Sequence, residues 1–186
     1  KKNVADYFIN EYKSGRTPNP DVMCNKEIKF GAFLKKAQSM GAHFIATGHY
    51  VRKDDAELLT GIDTDKDQAY FLWTLSQEQL SHALFPIGEY KKNEVRKLAK
   101  KFGLSTAGKK DSQGICFLGK TDMKEFLAHY IAPCNGSVIN EQGDIIGMHQ
   151  GAVFYTLGER HGFTITAHDD NGKPYYIVKK DIINNT

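Results

Sequence analysis

The stretch His43-Phe44-Ile45-Ala46-Thr47-Gly48-His49-Tyr50 decides the fold class of this chain. Residues 43–47 form a short apolar run that predicts a buried strand, and Gly48 with the residues after it predicts the turn that follows. Helical patterns lie on both sides, from residue 25 to Gly41 and from residue 67 onward. This alternation predicts an α/β fold, in which ligands bind where a strand ends beside the start of a helix.

The segments around this strand predict further elements. Val4, Phe8 and Tyr12 are spaced four apart and predict an opening helix that stops at Gly15. The proline-containing run at residues 17–21 predicts a rigid loop, which would place Cys24 at the N-terminus of the next helix. Similar patterns predict a strand at 57–62 and helices at 67–75, at 77–84 with Ser76 and Gln79 as a capping box, at 95–102 and at 122–131.

Beyond Pro133 the pattern becomes rich in strand signals. Residues 137–140 and 144–147 flank a Glu-Gln-Gly turn, which is typical of a hairpin, and residues 175–178 predict another strand. We therefore predict two domains, an α/β part over residues 1–132 and a small, mostly β part over residues 133–186.

Length and composition are typical of a globular protein. The chain has 186 residues, of which 40% are apolar, and no run approaches the about 18 consecutive apolar residues of a membrane span. Its first residues lack the apolar core of a signal peptide, so we expect a soluble cytoplasmic protein with no membrane partner. Three cysteines without a C-x-x-C pair predict neither a disulfide framework nor a zinc site. The net charge of +3 is too small to identify a nucleic-acid partner.

Two cysteines lie in unusual segments, and each has two interpretations. A cysteine at a helix N-terminus is biased towards the nucleophilic thiolate by the helix dipole, and Lys109 and Lys110 would act in the same way on Cys116. Free cysteine is also among the most buried residue types and acts mostly as a small hydrophobe. On the residues alone both interpretations of Cys24 and Cys116 stay open. Cys134, next to the predicted domain boundary, is interpreted as a bystander.

Several polar residues near these segments have two interpretations as well. His49 could hydrogen-bond a ligand or be solvated in its turn. Asp21, three positions before Cys24, could orient a base or a ribose, or could cap the helix that follows. Residues 66–68, Lys-Asp-Gln, combine a cation that suits phosphate with two hydrogen-bonding groups, although such triplets are common in loops.

Four blocks in this order resemble the bacterial tRNA-specific 2-thiouridylase family. They are GRTPNPDVMCNKEIKF at 15–30, ATGHY at 46–50, KDQAYFL at 66–72 and KDSQGICF at 110–117. Gly151, residues 156–162 and residues 176–178 resemble the central domain of the same family, so the resemblance covers nearly the whole chain. It implies part of an adenine-nucleotide α-hydrolase-like domain of the PP-loop ATPase type, followed by a small, mostly β central domain.

The resemblance implies an enzyme that uses ATP, with Mg²⁺ expected, to adenylate the 2-oxygen of the wobble uridine in the tRNA anticodon loop. Sulfur then comes from a cysteine persulfide. By the same match, Cys116 carries the persulfide, and Cys24 is the nucleophile that releases the sulfur and ends in a transient catalytic disulfide with Cys116. A sulfur-relay protein or a cysteine desulfurase would supply the sulfur. The remaining matched residues are Gly48 for ATP, Asn19, Pro20 and Asp21 for the target base, and His49, Lys66, Asp67 and Gln68 for tRNA.

This sequence also departs from the family pattern. The family begins with a Ser-Gly-Gly-x-Asp-Ser phosphate loop and ends with a C-terminal β-barrel, and the 186 residues contain neither. We therefore expect the 186-residue chain by itself neither to adenylate nor to thiolate tRNA. The rival interpretations are another PP-loop adenylating enzyme, a non-catalytic tRNA-binding module, and a thiol-disulfide oxidoreductase, although the last usually keeps its cysteines in a C-x-x-C pair.

Overall fold

The computed structural model describes residues 2–55, 57–109, 123–167 and 174–186. These residues form two compact units. One unit contains residues 19–109, and the other combines residues 2–18 with the described residues from 123 onward. The second of these units is discontinuous in sequence, and the domain boundary near residue 132 stays a prediction.

The helix that carries Cys24 begins earlier than expected. It is continuous through α2 (Pro20–Met23), a π-helical stretch (Cys24–Phe33) and α3 (Leu34–Ser39). The prediction of a loop through residue 21, with Cys24 at the helix N-terminus, was therefore wrong. Proline suits the first helical position because the missing N–H has no helical acceptor there, so Pro20 starts the helix instead of preventing it.

Two small sheets accompany this helix in the same unit. β1 (Ile45–Ala46) pairs in parallel with β4 (Ala83–Leu84), and β2 (Val51–Asp54) forms an antiparallel hairpin with β3 (Glu57–Thr60). The buried strand predicted at 43–47 and the strand predicted at 57–62 are confirmed in shortened form, whereas β2 was not predicted.

The helical predictions that follow are confirmed in part. The segment at 67–75 contains only a 3-10 turn (Ala69–Leu72), and α4 (Gln77–Ser81) stops before β4. The prediction of a helix through residue 84 was wrong because Ala83, which is fully buried, pairs with β1. α5 (Lys92–Lys101) is confirmed. A core cluster of buried residues in the unit consists of Phe30, Leu34, Ile45, Val51, Leu72 and Ala83.

The other unit contains a three-stranded antiparallel sheet. Its elements are α1 (Lys2–Lys13), α6 (Met123–Ala128), β5 (Gly136–Ile139), β6 (Ile145–His149), a 3-10 turn (Ala152–Phe154) and β7 (Thr164–Ile165). The strand order is β5-β6-β7, so the predicted hairpin is confirmed. No helix in the described parts of the chain is both long enough and apolar enough to cross a membrane.

The strand predicted at 175–178 was wrong. The backbone of Ile177 accepts a hydrogen bond from Gly158 N (2.7 Å) and donates one to Glu159 O (3.0 Å), but the segment joins no ladder. The third strand position of the sheet is taken by β7 beside β6. The apolar pattern at 175–178 thus indicated an extended segment, but it did not show whether that segment pairs with a strand.

Candidate functional site

Cys24 opens the π-helical stretch and is 4% exposed. It lies about one turn inside the helix, where the positive end of the helix dipole has largely faded, so the dipole argument for a thiolate is weaker than the sequence suggested. Cys116 and Lys110 lie outside the described residues, and with them lies the predicted disulfide between Cys24 and Cys116. The roles of both cysteines stay predictions.

The three residues matched to the target base form the start of this helix. Asn19 caps it, because its Oδ1 accepts hydrogen bonds from the backbone N–H groups of Asp21 (3.1 Å) and Val22 (3.2 Å). The structure therefore assigns the capping role to Asn19 and not to Asp21. The Asp21 side chain is exposed in the first turn, where a carboxylate is favoured by the dipole. The segment thus presents a rigid turn with one exposed acid, 3 positions from Cys24.

Asn25 was not singled out from the sequence, yet it is the most buried polar side chain of this helix. It is 2% exposed, and its Nδ2 donates a hydrogen bond to Phe71 O at 3.0 Å. Among the described residues its Oδ1 has no hydrogen-bond partner. Asn25 therefore ties the Cys24 helix to the turn that follows residues 66–68. The sequence signal that could have identified Asn25 is its position, a polar residue directly after Cys24.

His49 is 7% exposed, so its interpretation as a solvated turn residue was wrong. Its Nε2 lies 3.4 Å from Lys29 Nζ, and its Nδ1 lies 2.9 Å from Thr47 Oγ1. An ammonium group only donates, so Nε2 accepts, and Nδ1 carries the proton and donates to Thr47. Burial and, second, the Lys29 charge lower the pKa of His49 to about 4, which keeps the ring neutral. The predicted tRNA contact of His49 stays a prediction.

Gly48 lies between Thr47 and His49 at the carboxyl end of β1. A Cβ at this position would meet only Ile87 Cδ1, at 4.0 Å, so the backbone has open space beside it. A ligand can approach such a backbone closely. The ATP contact of Gly48 stays a prediction.

Asp67 and Gln68 use their side chains to hold the neighbouring backbone. Asp67 Oδ1 accepts from Gly61 N at 2.8 Å, and Gln68 Oε1 accepts from Tyr50 N at 3.1 Å. These bonds join the segment to the β2–β3 hairpin and to the end of the Gly48 turn. A tRNA contact through either residue would therefore involve groups that already have a structural task.

Lys66 differs from its two neighbours because it lines an open cleft of about 580 Å³. Four basic and two acidic residues line the cleft, several of them from α5 and the residue before it. Its lining residues are Ile62, Asp63, Thr64, Asp65, Lys66, Lys91, Lys92, Asn93 and Arg96. Among the described residues no group of three His, Cys, Asp or Glu side chains is placed to hold a metal ion, and the expected Mg²⁺ stays a prediction.

Comparison with known families matches both parts of the chain. A family model described as a tRNA methyl transferase HUP domain matches residues 1–120, and one described as a tRNA methyl transferase PRC-barrel domain matches residues 124–186. The predicted fold class, a PP-loop-type domain followed by a small β domain, is confirmed by these matches.

Individual relatives are more specific. The tRNA-specific 2-thiouridylase MnmA of Listeria monocytogenes serotype 4a (strain HCC23) is 53% identical over 186 residues, which cover 98% of this chain and 49% of the relative. The tRNA-specific 2-thiouridylase MnmA of Escherichia coli O6:K15:H31 (strain 536 / UPEC) is 53% identical over 189 residues, covering 98% and 51%. The chain thus spans about half the length of the curated relatives that it matches. It belongs to the tRNA-specific 2-thiouridylase family.

Proposed function

We propose that this chain carries the base-binding and sulfur-transfer residues of an enzyme that converts the wobble uridine of tRNA into 2-thiouridine with ATP. The observation that carries the proposal is the chain-long similarity, at 53% identity, to proteins named tRNA-specific 2-thiouridylases. The four sequence blocks at 15–30, 46–50, 66–72 and 110–117 support it further, because they contain both cysteines that the reaction would use.

The family models are described by methyl transfer, whereas the relatives are named for thiolation. We follow the relatives because sulfur transfer has a use for the two cysteines in these blocks. A HUP domain is also consistent with the use of ATP, which the chemistry of thiolation requires.

ATP would supply activation of the target oxygen. A uracil carbonyl oxygen is a poor leaving group, and the same oxygen bonded to AMP leaves as a stable phosphate ester, which lowers the barrier to attack by sulfur. The terminal sulfur of the Cys116 persulfide would attack C2, forming a C–S bond as the C–O bond to AMP breaks. The Cys24 thiolate would then attack Sγ of Cys116, and the S–S bond electrons would leave with the sulfur on the base. An external thiol must reduce the resulting disulfide after each turnover.

The target base would bind beside the helix start that precedes Cys24. Asn19 and Pro20 form a capped, rigid helix start, and Asp21 exposes a carboxylate on it. A uracil must be unstacked to reach such a turn, and the single-stranded anticodon loop permits this at low cost. Lys66, in its basic cleft, would contact the phosphate backbone of the tRNA.

The direct test is the mass of the intact full-length polypeptide after incubation with cysteine and a cysteine desulfurase. One additional sulfur should appear on the wild type and on Cys24→Ser, and none on Cys116→Ser. Cys134→Ser is the matched control, since Cys134 is exposed and lies outside the four blocks, and it should gain sulfur as the wild type does.

A second measurement separates the proposal from its rivals. Thiolation of tRNA that survives replacement of both Cys24 and Cys116 would exclude the mechanism. A wild-type full-length protein that binds tRNA but never thiolates it, under conditions where a control enzyme does, would favour the tRNA-binding module.

A further inference from the structure

The π-helical stretch changes the angle between residues five positions apart. Its hydrogen bonds join residues i and i+5, so each turn holds more residues than in an α-helix and the side chains of Cys24 and Lys29 lie closer together around the helix axis. In an α-helix, with 3.6 residues per turn, the same two side chains would point about 140° apart. The unusual helix therefore directs a cation towards the side of the helix that carries the proposed nucleophile.

Lys29 brings this helix face to the end of β1. Its Nζ lies 3.4 Å from Nε2 of His49, which is the residue directly after Gly48. Helices and strand ends that meet in this way form the ligand-binding edge of α/β proteins. Lys29 thus connects two segments that carry proposed site residues, one with Cys24 and one with Gly48.

The charge of Lys29 has no anion to balance it in the part of the chain that the structure describes. Lys29 is half-buried, and no described carboxylate forms an ion pair with it within 4.0 Å. Its hydrogen-bond partner is the neutral imidazole of His49, which uses one of three ammonium protons. Buried charges are normally paired, so a half-buried ammonium that faces a neutral acceptor beside an open glycine fits an anionic ligand.

We propose that Lys29 binds the nucleotide phosphate at this site, with His49 holding its ammonium group in place. The inference rests on the proposed function, since it assigns a ligand group to the same site. A lysine ammonium suits phosphate as a point charge. A fixed ammonium beside the α-phosphate of ATP would stabilise its negative charge while the uridine oxygen displaces pyrophosphate, which is the step that forms the adenylated uridine.

The test uses the full-length polypeptide with tRNA and ATP, in the absence of a sulfur donor, and measures the rate at which labelled AMP is incorporated into tRNA. Lys29→Gln removes the charge but keeps a hydrogen-bond donor for His49, and Lys29→Met removes both. We expect each variant to lose about 10- to 100-fold in rate, as for a charge-assisted hydrogen bond. Lys29→Arg should retain more of the rate than either. Lys36→Met, an exposed lysine on α3 of the same helix, is the matched control and should keep the wild-type rate.

Two binding measurements distinguish the sources of phosphate. AMP affinity, measured by equilibrium dialysis, should fall about 10-fold or more in Lys29→Gln, while tRNA affinity, measured by filter binding, should stay within about twofold of wild type. Loss of tRNA affinity with unchanged AMP affinity would assign Lys29 to the tRNA backbone and overturn the proposal. Wild-type rates in both Lys29→Gln and Lys29→Met would overturn it as well. If the wild type itself incorporates no AMP, the proposed function fails and this inference fails with it.

Discussion

The buried histidine should make the stability of its unit depend on pH. The pKa of His49 is about 4 in the folded chain, against about 6.5 in an unfolded one. Between these two pH values the unfolded state therefore binds a proton that the folded state does not bind. The folded state loses stability as the pH falls from about 6.5 to about 4. Between about pH 7 and about pH 5, linkage predicts a loss of about 2 kcal/mol from His49 alone.

Urea unfolding followed by tryptophan fluorescence measures this loss. Trp73 is the single tryptophan of the chain and lies in the same compact unit as His49, so its signal reports on the relevant unit. We expect His49→Gln to reduce the pH dependence of the unfolding free energy by about 2 kcal/mol over that interval, even where its absolute stability is lower. The exposed His43→Gln variant is the matched control and should follow the wild type.

A single result would refute this reasoning. If His49→Gln and the wild type lose the same free energy between about pH 7 and about pH 5, at equal urea m-values, then His49 does not stay neutral through burial. The Lys29→Gln variant tests the second cause of the lowered His49 pKa. Removing the ammonium charge should raise the pKa of His49 and flatten the pH dependence in part, because Lys29 is the second cause of the lowered pKa.

Substitutions at three further positions test the surrounding structure by urea unfolding. Gly88→Ala should lower the free energy of unfolding by more than about 3 kcal/mol, because the new Cβ would lie 1.8 Å from Val51 O. Near-wild-type stability would contradict this packing. Asn19→Ala should cost about 1 kcal/mol through loss of the helix cap, whereas Asn19→Asp, which keeps the acceptor, should cost little; equal losses would argue against the cap. Asn25→Leu should cost about 1–3 kcal/mol by leaving Phe71 O without its donor, and Asn25→Asp should cost more because it buries a charge. Near-wild-type stability of Asn25→Leu would contradict the hydrogen bond.

Local signals in the sequence predicted local structure well. The four-residue spacing of Val4, Phe8 and Tyr12 marks α1, and all three side chains are buried. The pair Ser76 and Gln79 forms the capping box with both hydrogen bonds, at 3.2 Å and 2.9 Å. Such features depend on neighbours within one turn, so the sequence contains everything needed to recognise them.

Pairing with distant residues overrode the local signals elsewhere. Residues 83 and 84 continue a helical pattern, yet they form β4 because β1 offers them a buried parallel partner 38 residues away. There a hydrogen-bond partner that the local pattern does not show decided the conformation. The helix start at Pro20 is a different case, because Asn19 caps it through residues two and three positions away, so the signal that was missed is local.

The sequence by itself determined the α/β class, the family, and which segments carry the cysteines and the polar candidates, because ordered blocks of residue types are properties of the chain alone. Only the tertiary structure decided which side chains meet. Lys29 and His49 are 20 positions apart, and their contact depends on where β1 ends and on how the π-helical stretch turns its side chains. Burial then keeps His49 neutral beside a cation. Neither desolvation nor a through-space charge can be read from residue order, since both depend on distances between residues that the chain separates.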